Sequence, residues 1–265
     1  MTQSESSHPK ADYGIDAPAV VRNLLLIGSL ALLAGTLSLL GLLPSQLTIP
    51  VGSVTLVFPL VGLGIGPGVL CTFMGFWMLW DSKVGKVRLR EKLLEMIPWN
   101  GGEQVLDAGC GLGLMSIGAA KRLTTGKVIG IDIWQTEDLS GNRKEATIEN
   151  ARREGVAEKV AVQTADMRKM PFADATFDVV VSRAAIHNIY DTGGRAQAIN
   201  EIARVLKPGG YAIIDDIRHL DQYSEIFTSK GAQVRRVGSM VTTVLLTLAT
   251  FGSLRPGTLL ITKSA

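Results

Sequence analysis

Several kinds of residue are scarce in this chain of 265 residues, and each scarcity excludes a class of protein. Its two cysteines, Cys71 and Cys110, lie in an apolar run and a glycine-rich turn, so no disulfide bond is expected. The three histidines do not combine with acidic residues at metal-ligand spacings, and the sequence predicts no metal site. The net charge is only +3, without a basic stripe interleaved with aromatic residues, which argues against a nucleic-acid partner.

Charge is also absent from two long stretches near the N-terminus. Residues 24–43 and residues 54–80 contain no Asp, Glu, Lys or Arg. A helix of about 20 residues spans roughly 30 Å, which is the thickness of the hydrocarbon core of a bilayer. The short connection between the two stretches is uncharged as well. The pattern predicts a transmembrane helical hairpin over residues 20–80, preceded by a disordered N-terminus at residues 1–19.

Three other arrangements compete with two full crossings of a membrane. A secretory signal peptide is disfavoured because residues 1–23 carry three acidic residues against two basic ones, with no basic leading region. Two buried core helices are possible, although uncharged runs of this length are rare in soluble domains. A re-entrant second segment stays open, because Pro59, Pro67 and several glycines predict a kink or break.

The charges that follow the second stretch predict its orientation. Five cations occur within residues 81–99: Lys83, Lys86, Arg88, Arg90 and Lys92. By the positive-inside rule this segment is cytoplasmic, so the prediction is a two-pass integral membrane protein whose C-terminal domain faces the cytoplasm. The segment itself has the pattern of a basic amphipathic linker, able to lie against anionic lipid headgroups.

The most informative pattern lies further along. Residues 105–113 form an apolar strand that runs into a glycine-rich turn, and Asp132 ends the next apolar run. Glycines allow a ligand to approach bare backbone, and the helix that follows offers free N–H groups. An acid about 20 residues on suits ribose hydroxyls. Asp107, directly before the glycines, repels a diphosphate and suits a ligand that carries an ammonium group.

This stretch resembles motif I of the class I S-adenosylmethionine-dependent methyltransferases. The segment at 201–210, Glu-Ile-Ala-Arg-Val-Leu-Lys-Pro-Gly-Gly, is similar to the stretch before strand five in the small-molecule and lipid methyltransferases of that family. The resemblance covers residues 100–265 and implies an α/β fold, a Rossmann-like, doubly wound, mostly parallel sheet. It also implies S-adenosyl-L-methionine as cofactor, with these contacts: Asp107, Gly109, Gly111, Gly113, Asp132, Ile133, Asp166, Met167 and Ser182.

Residues on the acceptor side are harder to assign. In this fold they follow the fourth and fifth strands of the sheet, predicted here at residues 177–182 and 211–217, where the sequence offers His187 and the neighbours Asp215 and Asp216. His187 is the candidate general base because imidazole titrates near neutral pH, although a purely structural hydrogen bond explains it equally well. Only one of the two aspartates can face the cofactor, since neighbours on a strand point to opposite sides, and we select Asp215 as the second candidate.

Two departures from the family pattern matter. Residues 134–143 form an insertion that is either a lid over the cofactor, with Trp134 stacking on the adenine, or a plain surface loop. Residues 240–254 are uncharged and form either a core helix or an element that dips into lipid.

The sequence thus predicts a membrane-anchored methyltransferase for a small, lipophilic acceptor, with a lipid bilayer as partner and an oligomeric state that stays open. Two alternatives remain, a nicotinamide-dependent reductase on a similar sheet and a membrane protein that binds the cofactor without turnover.

Overall fold

Two apolar helices and a β-hairpin account for the uncharged part of the chain. The computed structural model describes residues 10–238, 243–244, 247 and 254–264. Helix α1 (Pro18–Leu39) is followed by strands β1 (Gln46–Val51) and β2 (Val54–Pro59), which pair antiparallel, and by helix α2 (Leu60–Trp80). These elements belong to a unit made of residues 14–86 and 135–140.

The second uncharged stretch is not helical throughout, which corrects the prediction for residues 54–80. The β-branched and aromatic residues of Val54–Pro59 favour an extended strand, and Gly52, with a φ of 62°, turns the hairpin. The helix begins at Leu60 and runs through Pro67 without the predicted break. It continues to Leu94 through a π-helical turn, Asp81–Gly85, and helix α3 (Lys86–Leu94).

The first helix is also displaced from its predicted bounds of 24–43. It begins at Pro18 because proline is well suited to the first turn, where its missing N–H is not needed. It ends at Leu39, two residues before Gly41, whose φ of 72° is typical of the residue that follows a helix.

Glycines bring α1 and α2 into backbone contact. A Cβ atom placed on Gly35 would lie 2.9 Å from the nitrogen of Ile65, and one on Gly64 would lie 2.6 Å from the carbonyl oxygen of Ala31. Gly68 meets Leu32 in the same way. The interface between the two helices is therefore built from small residues. Large apolar side chains on the outer faces, such as Leu30 at 66%, are exposed.

Two of the five linker cations are buried, so only part of the cluster is available to water or to lipid headgroups. Lys86 is 2% exposed, with its Nζ 2.9 Å from Asp16 and 3.0 Å from the carbonyl oxygen of Gly14. Arg90 is 4% exposed and donates to the hydroxyl of Tyr13 at 3.2 Å. These contacts also show that the described part of residues 1–19 is packed against the rest of the chain.

The C-terminal part of the chain forms a seven-stranded sheet. Its strands are β3 (Gln104–Ala108), β4 (Lys127–Asp132), β5 (Val160–Thr164), β6 (Phe177–Arg183), β7 (Leu206–Asp216), β8 (Gln233–Val237) and β9 (Gly257–Thr262). Their spatial order is β5-β4-β3-β6-β7-β9-β8. The first five in that order are parallel, and β9 pairs antiparallel with both β7 and β8. The predicted doubly wound, mostly parallel sheet is confirmed.

Helices cover both faces of this sheet. Helix α4 (Leu114–Ala120) and helix α5 (Lys144–Arg153) pack on one side with Leu93 and Leu94 of α3. Helix α6 (Thr192–Val205) and helix α7 (Leu220–Ser229) bury their apolar positions on the other side. The chain order reverses between β3 and β6, and the crevice at the carboxyl ends of the strands beside such a reversal is where ligands bind in open α/β sheets.

The unit that contains this sheet takes in Tyr13 and the described residues before it, residues 87–134, and residues 141–265. The predicted boundary near residue 100 thus falls at Val87 in the structure. Strand β8 and helix α7 were not predicted. The uncharged run at 240–254 lies for the most part outside the described residues.

Candidate cofactor and acceptor site

The glycine loop follows directly from β3. Gly109, Gly111 and Gly113 have φ values of 78°, 49° and 84°, which only glycine adopts without strain. A Cβ atom on Gly109 would lie 2.3 Å from the Cβ of Ala185 and 3.1 Å from the Cε of Met167. The loop therefore keeps its bare backbone at the carboxyl end of the sheet, as the sequence predicted, and α4 begins directly after Gly113.

Asp132 organises this loop from the neighbouring strand. One carboxylate oxygen accepts the N–H of Gly111 at 2.8 Å, and the other accepts the N–H of Trp134 at 2.6 Å and the side chain of Asn142 at 3.4 Å. A carboxylate has about four lone-pair sites, so these bonds leave capacity for a hydroxyl donor. Its predicted contact with the ribose hydroxyls stays a prediction.

Asp107 lies beneath the loop rather than at its surface. It is 1% exposed, and one oxygen accepts both the N–H (2.8 Å) and the hydroxyl (2.6 Å) of Ser116 in the first turns of α4. Burial raises the pKa of Asp107 to about 7, and the nearby charge of Asp132 adds to the effect. Its predicted contact with the ammonium group of the cofactor stays a prediction, because the contacts seen here are with Ser116.

Helix α5 supports the loop from behind, a role that sequence reasoning missed. The hydroxyl of Thr147 donates to the carbonyl oxygen of Gly111 at 2.6 Å, and the side-chain amide of Asn150 donates to that of Leu112 at 3.0 Å. Both side chains are buried. Thr147 and Asn150 are three residues apart and so lie on one face of the helix, and this spacing is the signal that was available in the sequence.

The residues predicted around the adenine lie past β4 and β5. Asp166 is paired with Arg168, whose Nη2 lies 2.6 Å from a carboxylate oxygen, and this hydrogen bond lowers the pKa of Asp166. Met167 is half-buried and reaches Gly109. Ile133 is 50% exposed. Trp134 adopts a φ of 64° and donates its indole N–H to Thr164 at 2.8 Å, so its ring leans over the end of β5.

Ser182, another predicted cofactor contact, is built into the sheet. It is 1% exposed and its hydroxyl donates to the carbonyl oxygen of Ala108 at 2.7 Å. Shortly after it, Ala184 adopts a left-handed φ of 50°. Such a conformation is uncommon for a residue with a side chain, and it turns the loop after β6 so that Ala185 covers Gly109.

His187 and Asp216 form a pair at the carboxyl ends of β6 and β7. His187 Nδ1 lies 2.5 Å from Oδ1 of Asp216, and the backbone N–H of His187 donates to Oδ2 at 3.1 Å. Tyr223 approaches the same carboxylate through its hydroxyl at 3.4 Å. With Nδ1 held by the carboxylate, Nε2 is the ring nitrogen that is left to accept a proton.

Asp215 points to the opposite face of the sheet from Asp216, in agreement with the alternation expected for a strand. Its carboxylate accepts the hydroxyl of Thr258 at 2.6 Å and lies 3.4 Å from Nε of Arg183. Burial raises the pKa of Asp215. His187 is therefore paired with Asp216 and not with Asp215, whose catalytic role stays a prediction.

These features fit S-adenosylmethionine better than a dinucleotide. The bare, positive-φ backbone of the glycine loop lies beside the carboxylate of Asp132, so the charge that borders it is negative. A diphosphate is repelled in that setting, whereas a cationic sulfonium nucleoside is attracted. Among the described residues, no group of three or more His, Cys, Asp or Glu side chains has the arrangement of a metal site. The fold and site together define a Rossmann-like, S-adenosylmethionine-dependent methyltransferase.

Comparison with known proteins agrees. The model of a family described as a methyltransferase domain matches residues 100–255, more than half of the chain, and the chain belongs to that family. The 27-O-demethylrifamycin SV methyltransferase of Amycolatopsis mediterranei is 32% identical over 174 residues, which cover 63% of this chain and 59% of that protein. A ubiquinone/menaquinone biosynthesis C-methyltransferase of Geobacter sulfurreducens is 32% identical over 128 residues, 48% of this chain and 46% of that one. The chain thus spans about half the length of these curated relatives.

Solved structures share the fold. A phosphoethanolamine N-methyltransferase of Haemonchus contortus, in complex with S-adenosyl-L-methionine, superimposes with a TM-score of 0.52 at 20% identity, covering 67% of this chain and 52% of that one. A methyltransferase of Aquifex aeolicus gives a TM-score of 0.50 at 22% identity, with 65% and 88% of the two chains covered. The predicted enzyme class and cofactor are confirmed, and the nicotinamide-dependent alternative is set aside.

Proposed function

We propose that this methyltransferase is anchored in a membrane by α1 and α2 and methylates a small, lipophilic acceptor from the cytoplasmic side. The observation that carries the proposal is the exposed apolar surface of the two helices, which are long enough to span a bilayer and of which only about a sixth is buried. Exposed apolar side chains on this scale are unfavourable in water and favourable in lipid.

The orientation rests on charge. Lys83, Arg88 and Lys92 remain exposed after α2, whereas the hairpin that joins the helices carries no charged residue. By the positive-inside rule the end of α2 lies in the cytoplasm. These exposed cations are also the part of the linker that meets anionic headgroups, at about 1 kcal/mol each.

The proposed cofactor contacts follow from the geometry of the loop. Asp132 has capacity for one further donor and would accept a hydrogen bond from a ribose hydroxyl, and the backbone of Gly109 to Gly113 leaves room for the amino acid end. Ile133 and Met167 provide apolar surface for the adenine, whose amino group donates to Asp166. S-adenosylmethionine supplies a methyl group that its positive sulfur already activates, so the task of the protein is mainly to align the acceptor.

His187 is the proposed proton acceptor. Asp216 accepts a hydrogen bond from Nδ1–H, which orients the ring and leaves Nε2 to take a proton from a hydroxyl, thiol or carbon acid as the methyl group is transferred. The charge that then develops on the imidazole is stabilised by the Asp216 carboxylate. Asp216 is in turn held by the N–H of Ile217 at 2.8 Å, so it is an oriented acceptor rather than a mobile one.

A lipophilic acceptor is supported by two considerations. The anchor holds the catalytic unit near a bilayer, where lipophilic compounds accumulate. The relatives named for rifamycin and quinone substrates, and a sterol 4-C-methyltransferase of Caenorhabditis elegans that is 34% identical over 120 residues, are named for acceptors of this kind.

The experiment is a methyl-transfer assay on washed membranes that contain the full-length chain. Consumption of S-adenosylmethionine labelled in its methyl group is measured with and without added lipid extract, and the methylated product is identified by mass spectrometry. Extract-dependent turnover that His187→Ala abolishes supports the proposal. Labelled product confined to water-soluble compounds, or release of the chain from membranes by alkaline carbonate, contradicts the acceptor class or the anchor respectively.

A further inference from the structure

A single buried side chain connects the cofactor loop to the N-terminal segment that leads into α1. Asn150, on the inner face of α5, is 3% exposed. Its Nδ2 donates to the carbonyl oxygens of Leu112, at 3.0 Å, and of Asp12, at 2.8 Å, while its Oδ1 accepts the N–H of Asp12 at 3.0 Å. Both amide hydrogens and the amide oxygen are thus used, and a flipped amide satisfies none of the three bonds.

The segment at residues 10–13, which we call the N-terminal strap, is attached to the same unit by further contacts. Tyr13 is 7% exposed, with its hydroxyl 3.2 Å from Arg90 Nη1 and 3.4 Å from Glu154. The guanidinium carbon of Arg90 lies 5.7 Å from the centre of the Tyr13 ring. Ala11 packs against the core on this face. The strap is therefore docked by both polar and apolar contacts.

Two features link the position of the strap to the geometry of the glycine loop. The Leu112 carbonyl belongs to the turn that presents the cofactor-binding backbone, and Gly113 is so close to α5 that a Cβ atom there would lie 2.8 Å from Thr147. If the strap leaves, Asn150 loses two of its three hydrogen bonds and its amide becomes free to rotate toward water. A buried polar group that is only partly satisfied loses its defined position.

We infer that Asn150 is a positioning residue that couples docking of the strap to the geometry of the glycine loop, so that cofactor affinity depends on residues 10–13. The inference rests on the cofactor site proposed above. It makes the stretch of chain before α1 part of the cofactor-binding apparatus.

The test compares S-adenosylhomocysteine binding by calorimetry among full-length variants in one detergent. Asn150→Leu and a deletion of residues 2–12 are each expected to raise Kd about tenfold, since the net worth of one or two buried hydrogen bonds is about 1.4 kcal/mol. The combined variant is expected to bind no more weakly than either alone, because both changes break the same connection. Arg152→Ala, on the exposed face of the same helix, is the matched control and leaves Kd unchanged.

The outcomes are distinguishable. If the two changes act independently, for example through a general loss of stability that lowers the melting temperature, their effects on Kd multiply in the combined variant. That result overturns the inference. An unchanged Kd after the deletion overturns it as well, and this arm is decisive even if Asn150→Leu does not fold. Absence of binding by the wild-type chain instead refutes the cofactor site, because the inference concerns only the ratio of variant to wild-type Kd.

Discussion

Asp132 and Gly111 are joined by a hydrogen bond of 2.8 Å between a carboxylate oxygen and a backbone N–H, across the gap between β4 and the loop that follows β3. The acid proposed to receive the ribose therefore also shapes the turn that receives the rest of the cofactor. Binding and loop geometry depend on one side chain, which makes it a sensitive place to test the site.

Replacement of Asp132 by alanine is expected to weaken cofactor binding by about 2 kcal/mol or more, because charge-assisted hydrogen bonds are lost together with the restraint on Gly111. The change corresponds to a Kd roughly 30-fold higher by calorimetry with S-adenosylhomocysteine. Asp132→Asn keeps one acceptor oxygen, and its Kd is expected to fall between those of the wild type and Asp132→Ala. Unchanged affinity in Asp132→Ala refutes the assignment.

The partnership of His187 with Asp216 predicts a marked difference between neighbouring aspartates. His187→Ala and Asp216→Asn are expected to lower turnover by about 10²–10⁴-fold, the usual contribution of a positioned base. Cofactor affinity should change little, since neither side chain belongs to the loop. Asp215→Asn is the matched control, because this residue faces Arg183 and Thr258. Equal losses of turnover from the two aspartate variants contradict the proposed role of Asp216.

Burial of Asp107 predicts an unusual dependence of stability on pH. Its pKa is raised from 3.8 to about 7, so between these values the folded protein keeps a proton that the unfolded chain releases. This carboxyl therefore lowers the free energy of unfolding as pH rises through that window, by at most about 1.4 kcal/mol per pH unit, and has no further effect above it.

Denaturant unfolding of the wild type and of Asp107→Asn across this pH range isolates the effect. The asparagine does not titrate, so the stability of the wild type relative to the variant should decline from the acidic end of the window to neutrality. A constant difference between the two proteins shows that Asp107 titrates at its ordinary pKa.

The packing of α1 on α2 predicts opposite effects for two glycines of one helix. Gly64→Ala places a Cβ within 2.6 Å of Ala31 and Gly35 and is expected to destabilise the helix pair by about 1–3 kcal/mol. Gly62→Ala meets nothing within 4 Å and should be neutral or stabilising, since alanine favours helix by about 1 kcal/mol. Thermal unfolding of the full-length chain in one detergent measures both variants. Similar melting temperatures argue against the described helix contact.

The local patterns in the sequence predicted much of this molecule. A strand that ends in spaced glycines, followed by a second strand that ends in an acid, is determined by neighbours in the chain, and the structure places Gly109, Gly113 and Asp132 accordingly. The absence of charge over two stretches likewise indicated two long apolar helices, because length and composition alone govern that property.

Other features depend on partners that are distant in the chain. Asp215 and Asp216 are equivalent by sequence, and only the face of β7 on which each lies decides that Asp216 meets His187, 29 residues away. Asn150 meets Asp12 across 138 residues. The sequence predicts Lys86 and Arg90 to be exposed cations, whereas the fold buries both. Periodicity and composition describe a residue and its near neighbours, whereas burial and pairing arise when remote elements pack, and that is why only the tertiary structure decided them.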